Sequence, residues 1–124
     1  MPRMFIVAGS LLAGLGVILG AFGAHVLKNQ LSTELLVIYH TAVNYHIYHA
    51  LGLILIGILS SQPQTESLIT WSGYCLLAGI VLFCGSLYLL SITGQRWLGA
   101  VTPFGGTAFI LGWVLLALSV WRRG

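Results

Sequence analysis

The sequence predicts an all-α integral membrane protein, a single domain over residues 1–124 folded as a four-helix bundle that packs closely through Gly, Ala and Ser seams. Three observations lead there. Hydrophobic residues make up 58% of the chain and charged residues 6%, whereas about a quarter of a soluble domain is charged. The seven formal charges, Arg3, Lys28, Glu34, Glu66, Arg96, Arg122 and Arg123, bracket uncharged runs of 24, 31, 29 and 25 residues. About 20 apolar residues cross a bilayer as helix, so each run is long enough for one span. Small residues also recur at helical spacing within the runs, which lets helix backbones approach closely.

The expected helices cover residues 4–27, 33–59, 67–93 and 103–121. In the first, Gly9, Ala13, Gly16, Gly20, Gly23 and Ala24 fall within an arc of about 100° and include a GxxxG at Gly16 and Gly20. A second stripe, Ser10, Gly14, Ala21 and His25, flanks that seam, so this helix is expected to have two packed sides and one lipid side. Its apolar stretch exceeds the usual h-region of about 7 to 15 residues and is read as an uncleaved helix. GLGVILG has neither the spacing nor the preceding strand of a dinucleotide-binding glycine motif.

Lys28 to Glu34 forms a short connection, with Ser32 placed to cap the second helix and Glu34 in its first turn. SSQPQTES, residues 60–67, is the most polar stretch, with Thr65 or Ser67 as cap for the third helix. On the third helix Ser72, Cys75, Ala78, Gly79, Gly85 and Ser86 share an arc of about 140°, and Gly94 is placed to end it. Cys75 and Cys84 lie on opposite sides of this helix and cannot bridge. They read as small core residues. Before the last helix, Pro103 allows two starts: a kinked helix from Trp97, or the favoured alternative, a helix from Pro103 capped by Thr102. Gly105, Ala108 and Gly112 give it a small-residue face.

HTAVNYHIYHA, residues 40–50, places three histidines, an asparagine and two tyrosines inside the uncharged run of the second helix. Polar side chains in a bilayer are costly unless paired, and such groups mark functional sites by default. His40, Thr41, Asn44, Tyr45, Tyr48 and His49 span about 180° of azimuth, with His46 beyond His49. Thr41, Tyr45, His25, Ser86 and Thr102 all fall in the half of the membrane nearest the Lys28 loop, and His49 comes close to mid-membrane. The opposite half offers LGLILIGIL and ILGWVLLAL. That asymmetry predicts a one-sided polar pocket, with His25, Thr41, Tyr45, His49, Ser86 and Thr102 as candidate ligand-binding residues, rather than a pathway through the membrane. Interhelical hydrogen bonding, ligand or proton handling, and metal or haem ligation all stand as roles for His25, Tyr45 and His49.

No metal site and no cofactor is expected, because no carboxylate lies near the four histidines and His46 to His49 is the lone helical-spaced pair. No catalytic residue is expected either: no Asp or Glu lies within a span to orient a base. The scattered basic residues form no cluster of the kind that binds nucleic acid. They read as interfacial anchors, and Trp71, Trp97 and Trp121 fall near helix ends, where indoles prefer to sit. Arg3, Arg122 and Arg123 on one side against Lys28 and Arg96 on the other put both termini in the cytoplasm by the positive-inside rule.

GAFGAH at Gly20 to His25, TAVxYxxYHAL at Thr41 to Leu51, LFCGSLYLL at Leu82 to Leu90, TPFGG at Thr102 to Gly106 and the GW pair at Gly112 and Trp113 occur in register over nearly the whole chain. Together they resemble the YgdD-like family of small four-helix bacterial inner-membrane proteins, which has eukaryotic relatives. The resemblance implies four helices and an inner-membrane location, and it implies no substrate, cofactor or catalytic residue. It singles out His25, Thr41, Tyr45, His49, Ser86, Thr102 and Pro103 as family positions, with glutamine expected at position 46, a variable residue at 44 and serine at 84. The expected role is a non-enzymatic membrane protein whose polar pocket holds the bundle together and binds a small ligand, lipid headgroup or partner helix. A small-molecule or proton-coupled transporter and an accessory subunit, with a cofactor held between His25 and His49, are the alternatives. The bilayer is the expected partner, and the glycine seams permit a homo-oligomer or a larger membrane complex.

Overall fold

Hydrocarbon cannot hydrogen-bond a backbone, so each apolar run must satisfy its own amides as helix. The computed structural model describes residues 2–63 and 67–124. Among them four helices are long and apolar enough to cross a membrane, and no strand occurs. These are α1 (Pro2–His25), α2 (Thr33–Ser60), α3 (Ser67–Thr93) and α4 (Thr102–Arg123). Expectations that fall on Thr65 and Glu66 lie outside the described residues; Ser67 is the first residue of α3.

Local chemistry sets the ends. The Ser32 hydroxyl accepts from the Leu35 N–H at 3.2 Å and caps α2, while Glu34 in the first turn complements the helix dipole. Gly94 ends α3 in the left-handed conformation (φ 73°), with its N–H on the Leu90 carbonyl at 2.8 Å; a side chain there would be strained. The entry to α4 corrects the expected Thr102 cap. A 3-10 turn over Arg96–Ala100 runs on through Val101 into the helix, and the Val101 carbonyl takes the Phe104 N–H at 3.1 Å. The turn thus supplies acceptors itself, and the Thr102 hydroxyl, instead of capping the helix, reaches the Leu98 carbonyl at 3.5 Å and faces α3. Pro103, as second residue of α4, needs no N–H partner.

Helix α1 lies along α2 and α4 along α3, with α2 and α3 together at the centre. Glycines make these approaches possible. A methyl group on Gly9 would stand 2.7 Å from the Ala50 carbonyl oxygen, and one on Gly16 would stand 2.7 Å from Ile47 Cγ1. Gly23 lies under the Tyr39 ring, Gly79 under Phe109, and Gly105 against the backbone of Phe83. Gly112 faces Leu76 and Cys75, whereas Gly20 is looser, at 3.4 Å from Val43. Two expectations are corrected. A methyl group on Gly85 would meet nothing within 4 Å, so no close helix approach depends on this glycine. The second stripe of α1, Ser10, Gly14, Ala21 and His25, is exposed, because α1 is an outer helix and buries only the face containing Phe5, Gly9, Gly16 and Gly23.

The larger apolar core joins Phe5 of α1, Leu53 and Ile56 of α2, Ile69, Leu76, Ile80 and Cys84 of α3, and Phe109 of α4. Midway along α3, Ile80–Cys84 forms a π turn, a local widening that is frequent at functional sites. It carries Phe83 outward against Gly105 and toward α2.

Candidate functional site

The polar residues of α2 divide by partner. Nearest the Lys28 loop, the Tyr39 hydroxyl donates to the Leu19 carbonyl of α1 at 2.5 Å, with Gly23 making room for its ring. Half a span deeper, His46 is buried between three helices. Its Nε2 meets the Leu12 carbonyl of α1 at 2.7 Å and its Nδ1 the Tyr88 hydroxyl of α3 at 2.8 Å. A carbonyl only accepts, so Nε2 carries the proton and Nδ1 accepts from Tyr88.

His49 faces the other way and takes the opposite tautomer. Its Nδ1–H donates to the Tyr45 carbonyl at 2.7 Å, and its bare Nε2 accepts from the Trp113 indole N–H of α4 at 3.1 Å. An indole N–H only donates, so this imidazole is neutral. Its ring stacks on Phe109, with centroids 3.5 Å apart and planes 12° from parallel.

Beside this stack a cleft of about 270 Å³ opens between α2, α3 and α4, lined by Tyr45, His49, Phe83, Gly106, Phe109, Ile110 and Trp113. Tyr45 packs its edge against Phe83 at 4.8 Å between centroids and is 38% exposed. Its hydroxyl hydrogen-bonds no described residue. A wider concavity of about 570 Å³, lined by Pro2, Arg3, Ile6 and Ser61, lies at the end of the bundle, away from these interhelical bonds.

Behind Phe83, the Ser86 hydroxyl donates to the Phe83 carbonyl at 3.0 Å and meets the Thr102 hydroxyl at 2.7 Å. The pair ties the π turn to the start of α4. In the half expected to be dry, the buried Ser72 hydroxyl donates to the Gly112 carbonyl at 2.7 Å.

The six candidate residues therefore do not converge as one pocket. Tyr45 and His49 line the cleft, and Ser86 and Thr102 bond to each other one turn behind it. Thr41 turns back to the Val37 carbonyl of its own helix at 3.0 Å. His25 is exposed at the end of α1 and does not line the cleft with His49. Helix azimuth could not reveal this, because it does not say which neighbour faces which arc. Five lining residues, Phe83, Gly106, Phe109, Ile110 and Trp113, are not among the sequence candidates. Trp113 did carry a signal: it is the one tryptophan in mid-span, where a buried indole N–H needs an acceptor.

Comparison with known proteins agrees with this architecture. The family described as "Protein of unknown function (DUF423)" matches residues 19–106. The UPF0382 membrane protein YwdK of Bacillus subtilis (strain 168) is 45% identical over 117 residues, covering 94% of this chain and 95% of its own. A UPF0382 membrane protein of Staphylococcus haemolyticus (strain JCSC1435) is 45% identical over 120 residues, covering 97% of each chain. One from Staphylococcus aureus (strain bovine RF122 / ET3-1) is 40% identical over the same length and coverage. No solved structure matches the chain. Near-full-length similarity to proteins named for the membrane, on a chain of four apolar spans, makes this protein a membrane-embedded member of the DUF423 family.

Proposed function

We propose that the protein is a non-enzymatic, multi-pass binding protein of the bacterial inner membrane, and that its site is the aromatic cleft beside His49. The ligand is a small lipophilic molecule that enters sideways from the hydrocarbon and places one polar group at Tyr45. Tyr39, His46, Tyr88, Ser72, Ser86 and Thr102, which bond between helices, hold the bundle together. The observation that carries the reading is Tyr45: it lines the cleft and its hydroxyl bonds to no described residue, while the two ring nitrogens of His49 and the indole N–H of Trp113 in the same lining are paired.

A non-catalytic role draws support from the same pairings. His46 and His49 each engage other groups at both nitrogens, and among the described residues neither touches a carboxylate that would make it a base. The two histidines bond to separate partners rather than to each other, which argues against a proton relay. Both termini are proposed to be cytoplasmic, from Arg3, Arg122 and Arg123 against Lys28 and Arg96. A C-terminal green fluorescent protein should then fluoresce and a C-terminal alkaline phosphatase stay inactive; the reverse pattern overturns the orientation.

Binding is tested with a variant that keeps Trp113 alone (Trp71→Phe, Trp97→Phe, Trp121→Phe) in lipid nanodiscs. A terminally brominated fatty alcohol should quench its fluorescence saturably, and Gly106→Leu, which projects into the cleft, should abolish saturation. Quenching that rises without saturation, as for simple partition into lipid, would remove the site.

A further inference from the structure

We infer that the ligand of this cleft is a lipophilic quinone, its planar ring lying beside His49 and one ring carbonyl accepting the Tyr45 hydroxyl hydrogen. The inference rests on the binding reading above and narrows its ligand class.

Depth comes first. Tyr45 lies within α2, Thr33–Ser60, about 18 Å from one helix end and about 22 Å from the other at 1.5 Å per residue. A charged or zwitterionic headgroup would have to leave water to reach that level, at a cost nothing in the lining offsets. The occupant is neutral.

Shape comes next. Tyr45 and Trp113 each touch His49, at 6.0 and 5.7 Å between centroids, but make no ring contact with each other among the described residues. The stacked His49 and Phe109 belong to the same lining as both rings. A lining made mostly of aromatic rings, Tyr45, His49, Phe83, Phe109 and Trp113, favours a flat ring, which gains offset or edge contacts; a flexible chain gains area alone. At about 270 Å³ the cleft falls just below the range that encloses drug-sized ligands, so it holds one ring and leaves a hydrocarbon tail to pass Ile110 into the bilayer.

Hydrogen bonding completes the selection. With His49 and Trp113 engaged, Tyr45 offers a single free O–H. A ring carbonyl accepts it in the plane of the ring, where a carbonyl oxygen prefers its donor.

The Trp113-only protein in nanodiscs is titrated with decyl-ubiquinone, alone and in competition with the brominated alcohol. Saturable quenching that displaces the alcohol is expected. Tyr45→Phe, which removes one oxygen and keeps the ring, should weaken the quinone about five- to tenfold, as loss of one hydrogen bond. An unchanged quinone affinity in Tyr45→Phe overturns the assignment of the carbonyl. Saturable alcohol binding with no quinone binding, or quinone binding that leaves the alcohol in place, overturns the quinone and spares the cleft. If neither compound saturates, the inference and the reading beneath it fall together.

Discussion

His46 and His49 stand three residues apart on one helix and hold opposite tautomers, because one meets a carbonyl through Nε2 and the other through Nδ1. Each uses its remaining nitrogen to accept from an aromatic side chain of another helix. The geometry at His46 would also suit a glutamine: a carboxamide presents one donor face and one acceptor face, matching the Leu12 carbonyl and the Tyr88 hydroxyl. Interhelical hydrogen bonds in membranes contribute about 0.6 kcal/mol each, with an upper value of about 1.7. Tyr88→Phe should therefore cost about 0.6 kcal/mol and His46→Ala about 1–2 kcal/mol in reversible unfolding by dodecyl sulfate in mixed micelles, with His46→Gln close to wild type. Equal losses for His46→Gln and His46→Ala would show that ring packing, not the bonds, is what matters there.

At the level of helices, the contact between α3 and α4 is governed by the π turn. Widening over Ile80–Cys84 brings the Phe83 backbone onto Gly105, and the Ser86 hydroxyl serves the Phe83 carbonyl within that turn. Thr102 supports Ser86 from α4. A methyl group at Gly105 would overlap backbone atoms that cannot rotate away, so Gly105→Ala should cost about 1–3 kcal/mol, as overpacking does. Gly14→Ala and Gly85→Ala meet open space and should be neutral or stabilising by up to about 1 kcal/mol, from reduced backbone freedom. Thermal melts of the three variants in detergent check the ordering; a destabilised Gly14→Ala would mean that the exposed stripe of α1 is covered in the assembled protein.

Across the whole molecule, ordering forces differ between the ends and the middle. Glu34 and Arg96 pair at 3.1 Å across the Lys28 end, with both side chains more than 60% exposed, so the pair is screened. Glu34→Gln should change the melting free energy by no more than about 0.5 kcal/mol, measured at low and high salt. Class, helix number and many close-contact glycines were legible from composition and spacing, because a bilayer demands long uncharged helices and close approach demands small residues. The Gly9, Gly16 and Gly23 face is one such case. The site was legible only in part. Tyr45 and His49 stood out as polar residues in a greasy run, but the same logic also admitted Thr41, whose hydroxyl satisfies itself one turn back, and His25, which lies outside the cleft. Periodicity assigns a side chain to an arc of its own helix and is silent on which helix occupies that arc. The placing of α1 and α4 on the outside, the choice of Trp113 as partner for His49 and the cleft beside them follow from how four spans pack in three dimensions. They depend on contacts between residues as far apart as 49 and 113, which no local pattern encodes.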